Sequence, residues 1–155
     1  MSCRSAVVLS VLIAAACVPS PLAQPEPVSL KSSRSKADVV QVASRELTAA
    51  GFEIAASDTA AGTLSARRTR EKRGNFDFIT CKFAENSLAE TNLESVLTVT
   101  VSASGTGATS DVRIATSVLA KYPNLEGTPL PRSDSQTDCA STGAIERQLA
   151  TALGR

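Results

Sequence analysis

The order of its amphipathic segments predicts an α+β fold, a curved antiparallel sheet of about five to six strands with two helices packed on one face. Three observations carry this. Two segments, Val39 to Ala50 and Ile145 to Leu153, place apolar residues three or four positions apart, as a helix with one buried stripe requires. Several others alternate apolar and polar residues, as half-buried strands do. These strand-like segments follow one another from Phe52 to Val118 without a helical pattern between them, so they pair as hairpins and not through helical crossovers.

Each element has its own warrant. Val28-Ser29-Leu30-Lys31 alternates and reads as a first strand. Ser35 and Asp38 stand at capping-box spacing and open a helix whose stripe is Val39, Val40, Ala43, Leu47 and Ala50, with Gly51 where a left-handed terminator belongs. Phe52, Ile54 and Ala56, then Leu64 and Ala66 after a turn from Asp58 to Gly62, form a hairpin. A third strand of the sheet is expected from about Asn75 to Phe83. Its apolar residues fall on both faces, so it is either a central strand covered on both sides or a bulged one. In the fourth strand Leu97, Val99, Val101 and Ala103 point one way and Thr98, Thr100 and Ser102 the other. A turn at Gly105-Thr106-Gly107 leads to the fifth, with Val112, Ile114, Thr116 and Val118 facing in. From Leu119 to Asp138 the prolines, Gly127 and polar residues predict an irregular loop. The last helix carries Ile145, Leu149 and Leu153, starting near Asp138 or Ser141 and ending at Gly154. The order is β-α-β-β-β-β-β-α.

The N-terminus reads as an address. Arg4 precedes an uncharged, almost wholly apolar run from Ser5 to Ala16, the layout of a signal peptide over residues 1–16. As a helix the run covers roughly 18 Å, short of the roughly 30 Å of a hydrocarbon core. Ala14-Ala15-Ala16-Cys17 resembles a bacterial lipobox, which would make Cys17 the lipidated first residue of the mature chain. Ordinary cleavage is the alternative, either after Ala16, where Ala14 and Ala16 fit the A-x-A pattern, or after Ala23. Residues 17–27 carry Pro19, Pro21, Pro25 and Pro27 and read as an extended tether, with a single domain over 28–155. Val18 after the cysteine, in place of Asp, implies by the same resemblance the periplasmic side of the outer membrane; without lipidation the chain would be periplasmic or secreted.

With Cys3 in the leader and Cys17 lost or lipidated, Cys81 and Cys139 remain, and outside the cytosol such a pair becomes a disulfide. Their separation of 58 positions predicts a stabilisation of about 4 kcal/mol through loop closure.

Composition excludes much chemistry. The 155 residues include no histidine, which removes Ser-His-Asp and Cys-His catalysis and His-based zinc or haem ligation. No phosphate-cradling glycine motif occurs, and the fifteen Asp and Glu are scattered. We therefore assign no catalytic, cofactor-binding or metal residue. Apart from Arg4, basic and acidic residues are equal in number, and aromatic residues make up 3%, so nucleic acid is a poor partner. The one charge concentration is Arg67, Arg68, Arg70, Lys72 and Arg73, read either as a contact for an anionic surface or a partner, or as a solvated hairpin tip.

The stretch from Ser35 to Arg67, a capped helix running through Gly51-Phe52 into a strand, a turn and a second strand, resembles the helix-grip modules of bacterial envelope lipoproteins of the BamC type. Two function classes remain. One is a non-catalytic, lipid-anchored interaction or scaffold module of the cell envelope, binding an envelope protein or a surface polymer. The other is a soluble periplasmic carrier of an apolar ligand held between sheet and helix.

Overall fold

Ser35 starts the first helix. Its hydroxyl accepts the Asp38 amide proton at 3.3 Å and donates to the Asp38 carboxylate at 2.7 Å, so the first helical turn has a cap and a favourable negative charge. The helix closes when Ala50 and Gly51 turn their amides back to the carbonyls of Glu46 and Thr48, with Gly51 in the left-handed region at φ +80°. The computed structural model describes residues 22–70, 78–81, 94–121, 134–135 and 139–154. The leader over residues 1–16 and Cys17 lie outside the described residues, as do Lys72 and Arg73.

In chain order the elements are Val28–Ser32 (β1), Lys36–Ala49 (α1), Glu53–Asp58 (β2), Thr63–Arg70 (β3), Ile79–Cys81 (β4), Glu94–Ser104 (β5), Ser110–Lys121 (β6), Asp134–Ser135 (β7), Cys139–Ser141 (β8) and Ala144–Leu153 (α2). The main sheet runs β1-β6-β5-β3-β2, with β7 also pairing β6, and each of these pairings is antiparallel. β4 and β8 form a separate two-stranded antiparallel sheet. The expected α+β architecture of a five- to six-stranded sheet and two helices is present.

The turn joining β2 to β3 shows how local chemistry sets the register. Asp58 accepts the Ala61 amide proton at 2.8 Å, and Gly62 follows at φ +75° with its carbonyl 2.7 Å from the Ala103 amide nitrogen. A Cβ on Gly62 would strike the Ala103 carbonyl oxygen, so a larger residue is excluded by space as well as by conformation.

Both helices lie on the sheet face that carries Leu64, Leu97, Val99, Val101 and Ile114. Leu47 of α1 and Ile145, Leu149 and Leu153 of α2 meet these side chains, and all of them are 0–1% exposed. Burying each such side chain is worth about 1.5–3 kcal/mol. The Ser32 hydroxyl donates to the Leu153 carbonyl at 2.6 Å, which satisfies an orphan acceptor at the end of α2 and fixes that end against β1. Among the described residues no helix is long and apolar enough to cross a membrane.

Three expectations are corrected. The segment from about Asn75 to Phe83 is not a third strand of the main sheet; β5 takes the place beside β3, and of that segment the structure describes residues 78–81, whose strand β4 pairs β8. Its apolar residues fall on two faces because Ile79 enters the core, while Phe78 packs against Phe52 at 5.8 Å between ring centroids. The stretch Leu119 to Asp138 is not wholly irregular, because β6 continues to Lys121 opposite Glu94 and Asp134–Ser135 pairs its end. The last helix begins at Ala144, since Cys139–Ser141 is held as a strand by β4 and by the Cys81–Cys139 disulfide.

That disulfide joins directly opposed residues across the small sheet. A two-stranded ribbon this short has too few ladder bonds to persist alone. Replacing both cysteines with alanine should therefore lower the unfolding free energy by about 4 kcal/mol in urea titrations. A loss under about 1 kcal/mol would show that the loop closure is not what holds β8.

Candidate functional site

Period-two alternation gives the sheet two unlike faces. The side chains opposite the helices line up by register in rows across the strands: Ser65, Thr100 and Ala115; Arg67, Thr98 and Ser117; and Ser29, Arg113, Ser102 and Thr63. Hydroxyls dominate these rows. At the far end of β5 and β6, Val96 and Leu119 add an apolar cross-strand pair to this face, and among the described residues no helix lies on it.

The basic segment is divided by the same alternation. Arg67 lies on the open face and is ion-paired to Glu53 on the neighbouring strand, Nε to Oε2 3.3 Å, with both side chains more than half exposed. Arg68 shares the parity of Leu64 and Ala66 and so turns to the helix side. Its guanidinium donates to the Ala50 carbonyl at 2.9 Å and lies 5.4 Å from the centre of the Phe78 ring. A cation at the negative end of α1 also meets the helix dipole favourably. The main chain of Arg70 pairs with Ser95, and its side chain, like Lys72 and Arg73, lies outside what is described. Of the five residues that read as one patch, two are thus placed on opposite faces of a strand.

Sequence reasoning missed Glu146. It stands in the first turn of α2, is 2% exposed, and accepts the Thr116 hydroxyl at 2.5 Å and the Ser141 hydroxyl at 3.1 Å. Ser141 in turn accepts the Gly143 amide proton at 3.1 Å. One carboxyl group therefore ties α2 to β6 and β8, and it is buried only because two hydroxyls meet it. A weak signal was present in the inward parity of Thr116 within an otherwise aliphatic stripe. Nearby, the Gln24 side-chain amide donates to the Cys139 carbonyl at 2.7 Å, so the proline-containing segment is fixed to the domain at this point. Among the described residues no three His, Cys, Asp or Glu gather as metal ligands would.

No family model matches the chain, and no curated protein matches it. Among solved structures it is similar to a DUF4468 family protein from Bacteroides ovatus, at 13% identity and TM-score 0.36, over 66% of this chain and 62% of that one. The chain thus spans less than two thirds of the length of that relative.

Two substitution pairs separate anchoring side chains from exposed ones. Arg68→Ala should cost about 1–2 kcal/mol of stability through the lost carbonyl bond and ring contact, and Arg67→Ala less than about 0.5 kcal/mol, by chemical denaturation. Thr116→Val should cost about 1–3 kcal/mol because it strips a donor from a buried carboxyl, whereas Thr100→Val on the open face should be near neutral.

Proposed function

We propose that the chain is an exported, lipid-anchored, non-catalytic interaction module of the bacterial cell envelope, which presents the open face of its sheet to an envelope protein or a surface polymer. The observation that carries this is the contrast between the two faces. One is closed by α1 and α2 over a fully buried core, while the other is broad and largely polar, and among the described residues no helix lies on it.

The other features lend support. A disulfide fits an oxidising compartment. The leader and Cys17 supply a route to the periplasmic side of the outer membrane, and the residues between Cys17 and Gln24 a spacer from it. The likeness of Ser35 to Arg67 to helix-grip modules of envelope lipoproteins points to the same place. The absence of histidine from the sequence favours binding over catalysis. A carrier would need free volume between sheet and helices, and there Leu47, Leu97, Ile145 and Leu149 are packed to zero exposure.

In a bacterial host the wild-type chain should sediment with membranes and Cys17→Ser should stay soluble; both in the soluble fraction would remove the anchor. In capture from detergent-solubilised envelope, Thr100→Arg, which places a long charge at the centre of the open face, should abolish recovery of the partner. Recovery undiminished in Thr100→Arg but lost on reversing Lys72 and Arg73 to Glu would move the contact to the basic segment. Saturable binding of a hydrophobic dye at one equivalent would instead favour the carrier.

A further inference from the structure

The open face is not uniform. At its β1 end a shallow depression of about 520 Å³ is bordered by Ser29 and Lys31 of β1, Ser102 and Ser104 of β5, and Asp111 and Arg113 of β6. Its floor is low because the flanking side chains are serines. Arg113 stands in register with Ser29 on one side and Ser102 on the other, and Lys31 is opposite Asp111, two residues along the same face. Lys31 and Arg113 are therefore diagonal cross-strand neighbours, about 7–8 Å apart at the backbone.

What marks this pair is that two positive charges without a partner among the described residues border one depression. Arg67 has Glu53, Arg68 the Ala50 carbonyl, Lys36 the Ala60 carbonyl and Arg147 the Thr142 carbonyl. Lys31 and Arg113 make no ion pair or hydrogen bond among the described residues, although Asp111 is beside both. Counting Asp111, the depression keeps one net positive charge and is bordered by a guanidinium fork, an ammonium and the hydroxyls of Ser29 and Ser102, while the Ser104 hydroxyl donates to the Asp111 carbonyl at 3.5 Å.

We propose that this depression is an oxyanion site that takes a phosphate group. A tetrahedral phosphate offers three or four oxygens to donors arriving from separate strands. The Arg113 fork suits two of them, Lys31 acts as a point charge, and Ser29 and Ser102 complete the shell. Asp111 limits the site to one compact anionic group by repelling a dense polyanion. The proposal deepens the interaction-module reading and rests on it for the source of the phosphate, which is either a lipid headgroup or a free phosphate.

The test uses the full chain carrying Cys17→Ser, which keeps it in solution. Titration with inorganic phosphate, followed by amide chemical shifts, should give saturable changes confined to residues 29–31, 102–104 and 111–113. Arg113→Gln should weaken binding about tenfold or more, while Arg45→Gln on the exposed side of α1 should leave it unchanged. Co-sedimentation with phosphatidylglycerol vesicles but not phosphatidylcholine vesicles, lost in Arg113→Gln, assigns a lipid source; phosphate binding without sedimentation assigns a free one. Absence of saturable shifts, or equal binding by Arg113→Gln, overturns the site. Because no envelope partner enters this assay, its failure leaves capture of a protein partner as a separate result.

Discussion

Three residues, Cys139–Ser141, tie Cys81, Gln24, β6 and the start of α2 together. Cys139 is bonded to Cys81 and takes a hydrogen bond from Gln24, while Ser141 joins Glu146 and the start of α2. Through Glu146 the same strand reaches Thr116 in the middle of β6. The helix that closes half of the core is thus positioned at one end by a polar network and a covalent bond, and at the other by Ser32. The aliphatic stripe of α2 supplies most of the burial energy, but apolar contact is non-directional. The polar and covalent contacts select one seat for the helix.

That division explains which elements are legible in the residues alone. α1 is readable because its cap, stripe and terminator agree, and β5 and β6 because alternation over eleven and twelve residues outlasts chance. β4 is legible as extended chain within Asn75 to Phe83 but its pairing with β8 is not, and β8, at three residues, is too short for any period to register. The start of α2 was misplaced for the same reason, since nothing local tells Cys139 to extend. Arg68 is the opposite case. Its parity with Leu64 and Ala66 was available, but counting Arg67 to Arg73 as one cluster treated as a patch what a strand splits between two faces.

Function follows from what the covering leaves over. With both helices on one side, the sheet offers a wide surface whose side chains are short, hydroxylated and fixed by long ladders. Such a surface costs little entropy to present, since Ser and Thr have few rotamers to lose. Among the described residues it carries no aromatic side chain, the usual anchor of a tight interface.

Of the two edge strands of the main sheet, β1 and β2, the sequence of β2 obstructs the addition of a further strand. This edge strand is bulged between Ile54 and Ala56, which breaks the even row of donors and acceptors that an incoming strand needs. Acids also close both of its ends. Two copies pairing antiparallel about the step from Ala55 to Ala56 would set Glu53 of each against Asp58 of the other, a like-charge juxtaposition at both ends of the new ladder. An edge built this way opposes self-pairing of the sheet through β2, because the new ladder would open and close on like charges.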